Sequence, residues 1–230
     1  MKLMKVTSPE TLIELISQTG FLPFFQNETE GFSLEECIAR EYWFPEQGEG
    51  AWEWKGRVIA GADCAYGKFF RGRAGFISRE WFPDFANFRR NGYDFDALYD
   101  DGLARHTDKQ VFEIVEKKGS VLSKDLKKQG DFRKGGNKGF DSIITRLQMQ
   151  GYILISDFEY QKDKYGSVYG WGVARYETPE YRFGEAFSKQ VYQREPEDSL
   201  ERIKQHLSRI FSAEEAAKIE KMIRKGAVKE

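Results

Sequence analysis

The sequence predicts an α+β fold, and three observations carry that prediction. Several stretches repeat apolar residues at the helical spacing of about 3.6, and most of them start at a capping side chain and stop at glycine. Two other stretches, 52–78 and 152–176, are rich in aromatic and β-branched residues and broken by glycine, as strands are. The third observation is an order of elements between residues 107 and 179: one helix, an extended step, two more helices, then a hairpin.

In the N-terminal region, Ser8 and Pro9 make a helix start, Leu12, Leu15 and Ile16 supply its apolar stripe, and Gly20 ends it. Ser33 with Glu36 forms a capping box, and the helix behind it is expected to run to about Tyr42. From Trp52 to Ser78 the glycines come too often for a helix. Val58, Ile59, Tyr66, Phe69, Phe70, Phe76 and Ile77 favour strands, so two or three short strands are expected there. A helix with Trp81, Phe85 and Phe88 follows and ends at Asn91-Gly92. Residues 92–105 are polar and turn-rich, which places a boundary there and makes 1–105 an aromatic-rich α/β N-terminal region.

The next helix carries Val111, Ile114 and Val115 on one stripe, with Thr107 or Asp108 as cap and Gly119 as stop. Val121 and Leu122 form the extended step. Ser123 can cap a short second helix through Leu126 and Lys128, which Gly130 ends. In the third helix Phe140, Ile143, Ile144 and Leu147 fall on one buried face. Strands at 152–160 and 168–176 then flank a polar turn at 162–167. A helix, a short helix, a third helix and a hairpin in this order make a winged helix-turn-helix domain at 106–180. Thr178 and Pro179 look like a further cap and first turn. Two amphipathic helices complete a C-terminal helical segment, 181–230. Leu200, Ile203, Leu207 and Ile210 mark one, Ala216, Ile219 and Ile223 the other, with a Ser212–Glu215 capping box between them.

At 230 residues and 40% hydrophobic, the chain can bury a core. Its 36 basic and 37 acidic residues leave a net charge of −1, so attraction for a polyanion must come from local patches. No run of about 18 apolar residues occurs and the start, MKLMKVTSPE, lacks a secretory pattern, so a cytoplasmic protein without membrane contact is expected. Cys37 and Cys64 lie among apolar and aromatic residues and read as inert buried thiols. With only His106 and His206 besides, no metal site and no cofactor is expected.

Charge is segregated along the chain. Lys117, Lys118, Lys124, Lys127, Lys128, Arg133, Lys134 and Lys138 are opposed only by Asp125 and Asp131. The loop from Arg133 to Lys138 sets cations and glycine backbone at the start of the third helix, a natural phosphate seat, although a solvated connection would look the same. The outward side of that helix carries Ser142, Thr145 and Met149, flanked by Asp141 and Arg146, and is poor in base-reading side chains. Lys162 and Lys164 lie at the hairpin tip, while Tyr169 and Trp171 read as core. The expected nucleic-acid contacts are therefore Lys124, Lys127, Lys128, Arg133, Lys134, Lys138, Arg146, Lys162 and Lys164, and duplex DNA is the expected partner. A second set, Lys55, Arg57, Lys68, Arg71, Arg73 and Arg79, interleaves with aromatics. That pattern suits either base stacking or a strand with its aromatics inside, and the core reading is preferred. Glu53 and Asp63, among these aromatics, are the carboxylates that burial could equip to act on a water.

The winged-helix segment and the run WEWKGRVIAGADCAYGKFFRGRAGFISREWFPDFANFRRNGYDFDALYDDG resemble the AlkZ-related bacterial proteins, distant relatives of the AlkZ and YcaQ DNA glycosylases, over most of the chain. Those enzymes are built of tandem winged helices around a basic DNA channel. They remove alkylated or cross-linked bases with a Gln-x-Gln or Gln-x-Asp motif that orients a water. Here Gln148-Met149-Gln150 has that form but ends the third helix, where the two glutamines point about 200° apart, whereas the enzymes carry theirs nearer the N-terminus. The resemblance thus implies DNA association in repair or regulation more than base excision. Two alternatives are an AlkZ-like glycosylase using Glu53, Asp63 and Gln148, and a scaffold whose winged helix and C-terminal helices bind a protein.

Overall fold

The computed structural model describes residues 3–162, 164, 165 and 168–229, and at 161, 162, 168, 169 and 171 it describes the backbone alone. Helix α1, Pro9–Thr19, begins at Ser8, whose Oγ accepts the Thr11 N–H while Thr11 Oγ1 accepts the Ser8 N–H. Gly20, at φ 74°, turns the chain into β1, Phe21–Pro23, and a Cβ there would stand 2.7 Å from the Trp81 ring. The helix expected from Ser33 to Tyr42 is two short ones, α2 at Leu34–Cys37 and α3 at Arg40–Trp43. It breaks because Ile38 is extended and bridges Val6. Glu36 departs from the expected box as well: its carboxylate accepts from the Ser33 hydroxyl and the Gly31 N–H.

The strands expected from Trp52 onward are replaced at first by a helix, α4, Ala51–Ala60. Its buried stripe of Ala51, Trp54, Lys55, Val58 and Ile59 outweighs the cost of Gly56, about 1 kcal/mol. Strands β2, Cys64–Phe70, and β3, Arg73–Ser78, form a hairpin through Arg71 and Gly72, both at positive φ. The sheet order is β1-β3-β2, antiparallel throughout. Helix α5, Phe82–Arg90, buries every residue and ends on a left-handed Asn91. Residues 92–105 contain α6, Phe95–Asp100, whose Phe95 stacks on Phe112 at 4.2 Å and meets Tyr152 edge-on.

Helix α7, His106–Lys118, starts without a side-chain cap, and neither Thr107 nor Asp108 serves as one. Its buried stripe is Val111, Phe112 and Val115; Ile114 is half-buried, so the helix is rotated from the expected setting. Then come β4, Ser120–Leu122, α8, Ser123–Gln129, and α9, Phe140–Met149. Ser123 lies inside α8 and makes no cap. Phe140, Ile143, Ile144 and Leu147 are all buried. Strands β5, Leu154–Lys162, and β6, Val168–Glu177, pair antiparallel, and β4 joins the other edge of β6 to give the order β4-β6-β5.

Thr178 caps α10, Pro179–Phe183, which leads into α11, Glu185–Gln190, α12, Pro196–Ile210, and α13, Ala213–Arg224. Between the last two, Ser212 and Glu215 form the expected capping box. Helix α12 lies on α5, where buried Asp84 accepts from Ser199 Oγ at 2.9 Å and Arg202 Nε at 3.2 Å. Two buried arginines at the end of α5 join the rest. Arg89 donates to the carbonyls of Met149, Phe69 and Met222; Arg90 donates to Glu180, the Tyr192 hydroxyl and the Gly151 carbonyl. Strand β2, helix α9 and helix α13 thus meet on α5, and one apolar core runs from Leu3 to Ile223.

Candidate nucleic-acid interface

The α8–α9 connection is a folded turn rather than a slack loop. Asn137 donates through Nδ2 to the Gly130 carbonyl and Gln110 Oε1, its N–H reaches the Asp131 carbonyl, and Phe132 packs edge-on against Phe140. Gly139, at φ 81°, opens α9 with no side-chain cap, and its carbonyl accepts the Ser142 and Ile143 N–H groups, which leaves those of Phe140 and Asp141 without a cap beside the loop. The cations around this point divide into two kinds. Lys127 is 3.7 Å from Asp141 and over the Phe140 ring, Arg133 pairs with Asp131, and Lys124 is 3.9 Å from Glu159. Lys128, Lys134 and Lys138 are exposed and have no ion pair among the described residues. Lys164 lies over the Tyr165 ring at the hairpin tip. The side chain of Lys162 lies outside those described, as do the side chains of Tyr169 and Trp171.

Arg146 is committed elsewhere. Its Nε and Nη2 grip both carboxylate oxygens of buried Asp108, at 2.8 and 2.5 Å, and this bidentate bond holds its pKa above the ordinary value. The outward face of α9 is also partly covered. Thr145 accepts from Lys68 Nζ, the β2–β3 turn at Gly72 lies against Thr145 and Met149, and Gly226 packs so close to Met149 that a Cβ there would stand 2.5 Å from its methyl. What stays open is a shallow concavity along Asp141, Ser142, Thr145, Arg146, Met149 and Gly226.

The three catalytic candidates do not meet. Glu53 is exposed and uses a carboxylate oxygen on the Gly50 N–H, at 3.0 Å, which starts α4. Asp63 is exposed at the head of β2. Gln148 is fully buried. Its Oε1 accepts the Lys68 N–H, left free where β2 bulges away from β3, and its Nε2 donates to the Ile144 carbonyl. The amide is thus bonded to backbone at both its oxygen and its nitrogen.

The second basic set disperses. Arg57 pairs with Glu49, Arg71 with Glu28, and Arg73 reaches the Gln26 carbonyl. Lys55 is buried, with Nζ 4.4 Å from the Phe158 ring centroid, 4.7 Å from Trp52 and 5.9 Å from Phe24. Burial lowers its pKa to about 8, with Glu53 acting in the other direction. The strand reading of this stretch hid Lys55, since helical spacing sets it beside Val58 and Ile59 on the buried stripe. Arg89 and Arg90 gave no warning either, because their partners are backbone and side chains 20 to 133 residues away. Both cysteines are buried and free, and burial raises Cys37 to about 11 and Cys64 to about 12. Among the described residues no cluster of His, Cys, Asp and Glu could hold a metal, and no helix is long and apolar enough to cross a membrane.

A family model described as AlkZ related matches residues 6–224. No curated protein and no solved structure gives a significant match.

Proposed function

The chain belongs to the AlkZ-related family, and from that premise we propose that it is a DNA-binding protein in which residues 106–180 act as a winged helix that grips the phosphate backbone. The observation that carries this reading is the set Lys128, Lys134 and Lys138, exposed and, among the described residues, without carboxylate partners near the uncapped start of α9. Unpaired cations can turn to phosphate without breaking an ion pair, whereas Arg146, Lys127 and Arg133 would first have to leave a carboxylate. The α9 face that could read bases is short of base-reading groups and partly covered, so backbone contact dominates and sequence preference is weak. The kinship of this family to DNA glycosylases makes repair the setting that fits, with lesion recognition or partner recruitment as the contribution.

The test is fluorescence anisotropy on a labelled duplex over a range of salt. The double variant Lys134→Glu/Lys138→Glu loses at least about tenfold in affinity and flattens the salt slope by about two phosphate contacts. Lys162→Glu serves as a probe of the hairpin tip. Affinity unchanged in the double variant, or insensitive to salt, would remove the phosphate seat.

A further inference from the structure

A second concavity, about 290 Å³, lies where α1 and α4 meet the ends of β2 and β3. Its two walls differ in kind. Ile13 and Ile16 of α1 and Val58 of α4 make an aliphatic wall; Asp63, Ser78, Arg79 and Glu80 make a polar one, with Ser17 at the edge and the Cys64 thiol between. The backbone of the polar wall is held by the Arg79 N–H, which donates to the Asp63 carbonyl, and the Asp63, Arg79 and Glu80 side chains extend from it into solvent.

Its polar groups are unspent. Ser78 is 6% exposed and, among the described residues, its Oγ has no hydrogen-bond partner, a condition buried hydroxyls rarely keep. Among the described residues the side chains of Asp63, Arg79 and Glu80 make no ion pair or hydrogen bond; Arg79 has only the Phe183 ring, at 5.8 Å. Two carboxylates disfavour an anion, and the guanidinium disfavours a simple cation. A ligand with both an ammonium and a carboxylate offers a partner of opposite sign to the carboxylates and to the guanidinium alike. The apolar wall contains no aromatic ring, although aromatics are 15% of the chain. A nucleobase would find nothing to stack on, and an aliphatic body fits instead.

We propose that this concavity binds a free aliphatic α-amino acid. Its ammonium lies between Asp63 and Glu80, its carboxylate meets Arg79 and the Ser78 hydroxyl, and its side chain lies on Ile13, Ile16 and Val58. Cys64 stays protonated and adds no charge to the floor.

The site is independent of the DNA reading, and its test uses no nucleic acid. The full chain is titrated by calorimetry and protein-observed NMR with L-leucine, glycine, isovalerate, isoamylamine and adenosine as separate probes. L-Leucine is expected to bind and to shift resonances of Ile13, Val58 and Ser78, with each truncated probe at least about tenfold weaker. Arg79→Gln and Ser78→Ala, first checked for native unfolding curves, lose at least about tenfold for L-leucine while isoamylamine changes less in Arg79→Gln. No binding of L-leucine, equal binding of isovalerate or isoamylamine, tighter binding of adenosine, or full affinity in Arg79→Gln would each overturn the proposal.

Discussion

At Gln148 one side-chain amide spans two backbones, closing the bulge of β2 at Lys68 and bonding back to Ile144 within its own helix. Replacement by alanine leaves the Lys68 N–H unpaired and opens a void, so Gln148→Ala is expected to cost about 2–3 kcal/mol in urea unfolding. Lys55 works in the opposite sense. Its folded pKa of about 8 lies below the ordinary 10.5. Below pH 8 the lysine is charged whether folded or unfolded, and the folded chain bears the whole cost of burying that charge. Between those values the folded lysine releases its proton first, so stability rises with pH, and above 10.5 the difference is gone. Lys55→Met is therefore expected to be more stable than the parent at pH 7, with an advantage that shrinks between about pH 8 and 10.5 in thermal or urea unfolding. An advantage independent of pH would mean that lysine is not burying its charge.

On the scale of the element, α9 serves two masters. Its inner stripe is core, and Ile144, 2% exposed, lies at the centre of it. Ile144→Asp buries an unpaired carboxylate and is expected to cost more than about 4 kcal/mol, seen as loss of the cooperative unfolding transition. Its outer side is pinned by Lys68 and Gly72 at the C-terminal half, so only the first turn and the loop before it can approach a phosphate. The inner stripe was legible because helical period alone sets it. The covered outer side was not, because the residues that cover it come from 68–72 and 226, which no local pattern connects to α9. Helix α4 gives the converse case: glycine frequency argued for strand, and burial of Trp54, Val58 and Ile59 on one face decided for helix.

For the molecule as a whole, α5 is the beam to which the other parts are fixed. Burial works against the charge of Arg90, but Glu180, with Tyr192 and Tyr152, outweighs it and raises the pKa. Arg89 donates to carbonyls and lies over the Phe85 ring, with no carboxylate among the described residues, and burial lowers its pKa to about 9, high enough to keep the charge at neutral pH. Arg90→Ala strands the Gly151 carbonyl and one oxygen of Glu180, and is expected to cost at least about 3 kcal/mol. If the parts before and after residue 105 were independent, Arg90→Ala would leave the unfolding of 106–180 unchanged; the bonds from α5 to α9 predict that all parts lose stability together. At this scale the enzymatic question is put to an assay: with an alkylated purine in a duplex, the protein is expected to bind without generating abasic sites, and excision lost in Gln148→Ala or Glu53→Gln would reverse that ranking.

The sequence by itself determined a subset of the caps, stops and inward stripes: Ser8 before α1, Asn91 after α5, Ser212 with Glu215 before α13, and the apolar faces of α9 and α12, while the caps expected at Thr107 or Asp108 and at Ser123 do not form. These depend on neighbours within one or two turns, where spacing alone sets the physics. The run that carries the family likeness was legible in the same way, as a string of residues. Only the tertiary structure decided which charges are free. Arg146 against Asp108, Lys55 among three rings, Gln148 on a strand bulge and Ser78, whose hydroxyl has no hydrogen-bond partner among the described residues, are decided by what the fold brings near them from far along the chain. A side chain's type gives its charge and its donors, but whether that charge is already spent depends on what the fold brings within about 3–4 Å of it.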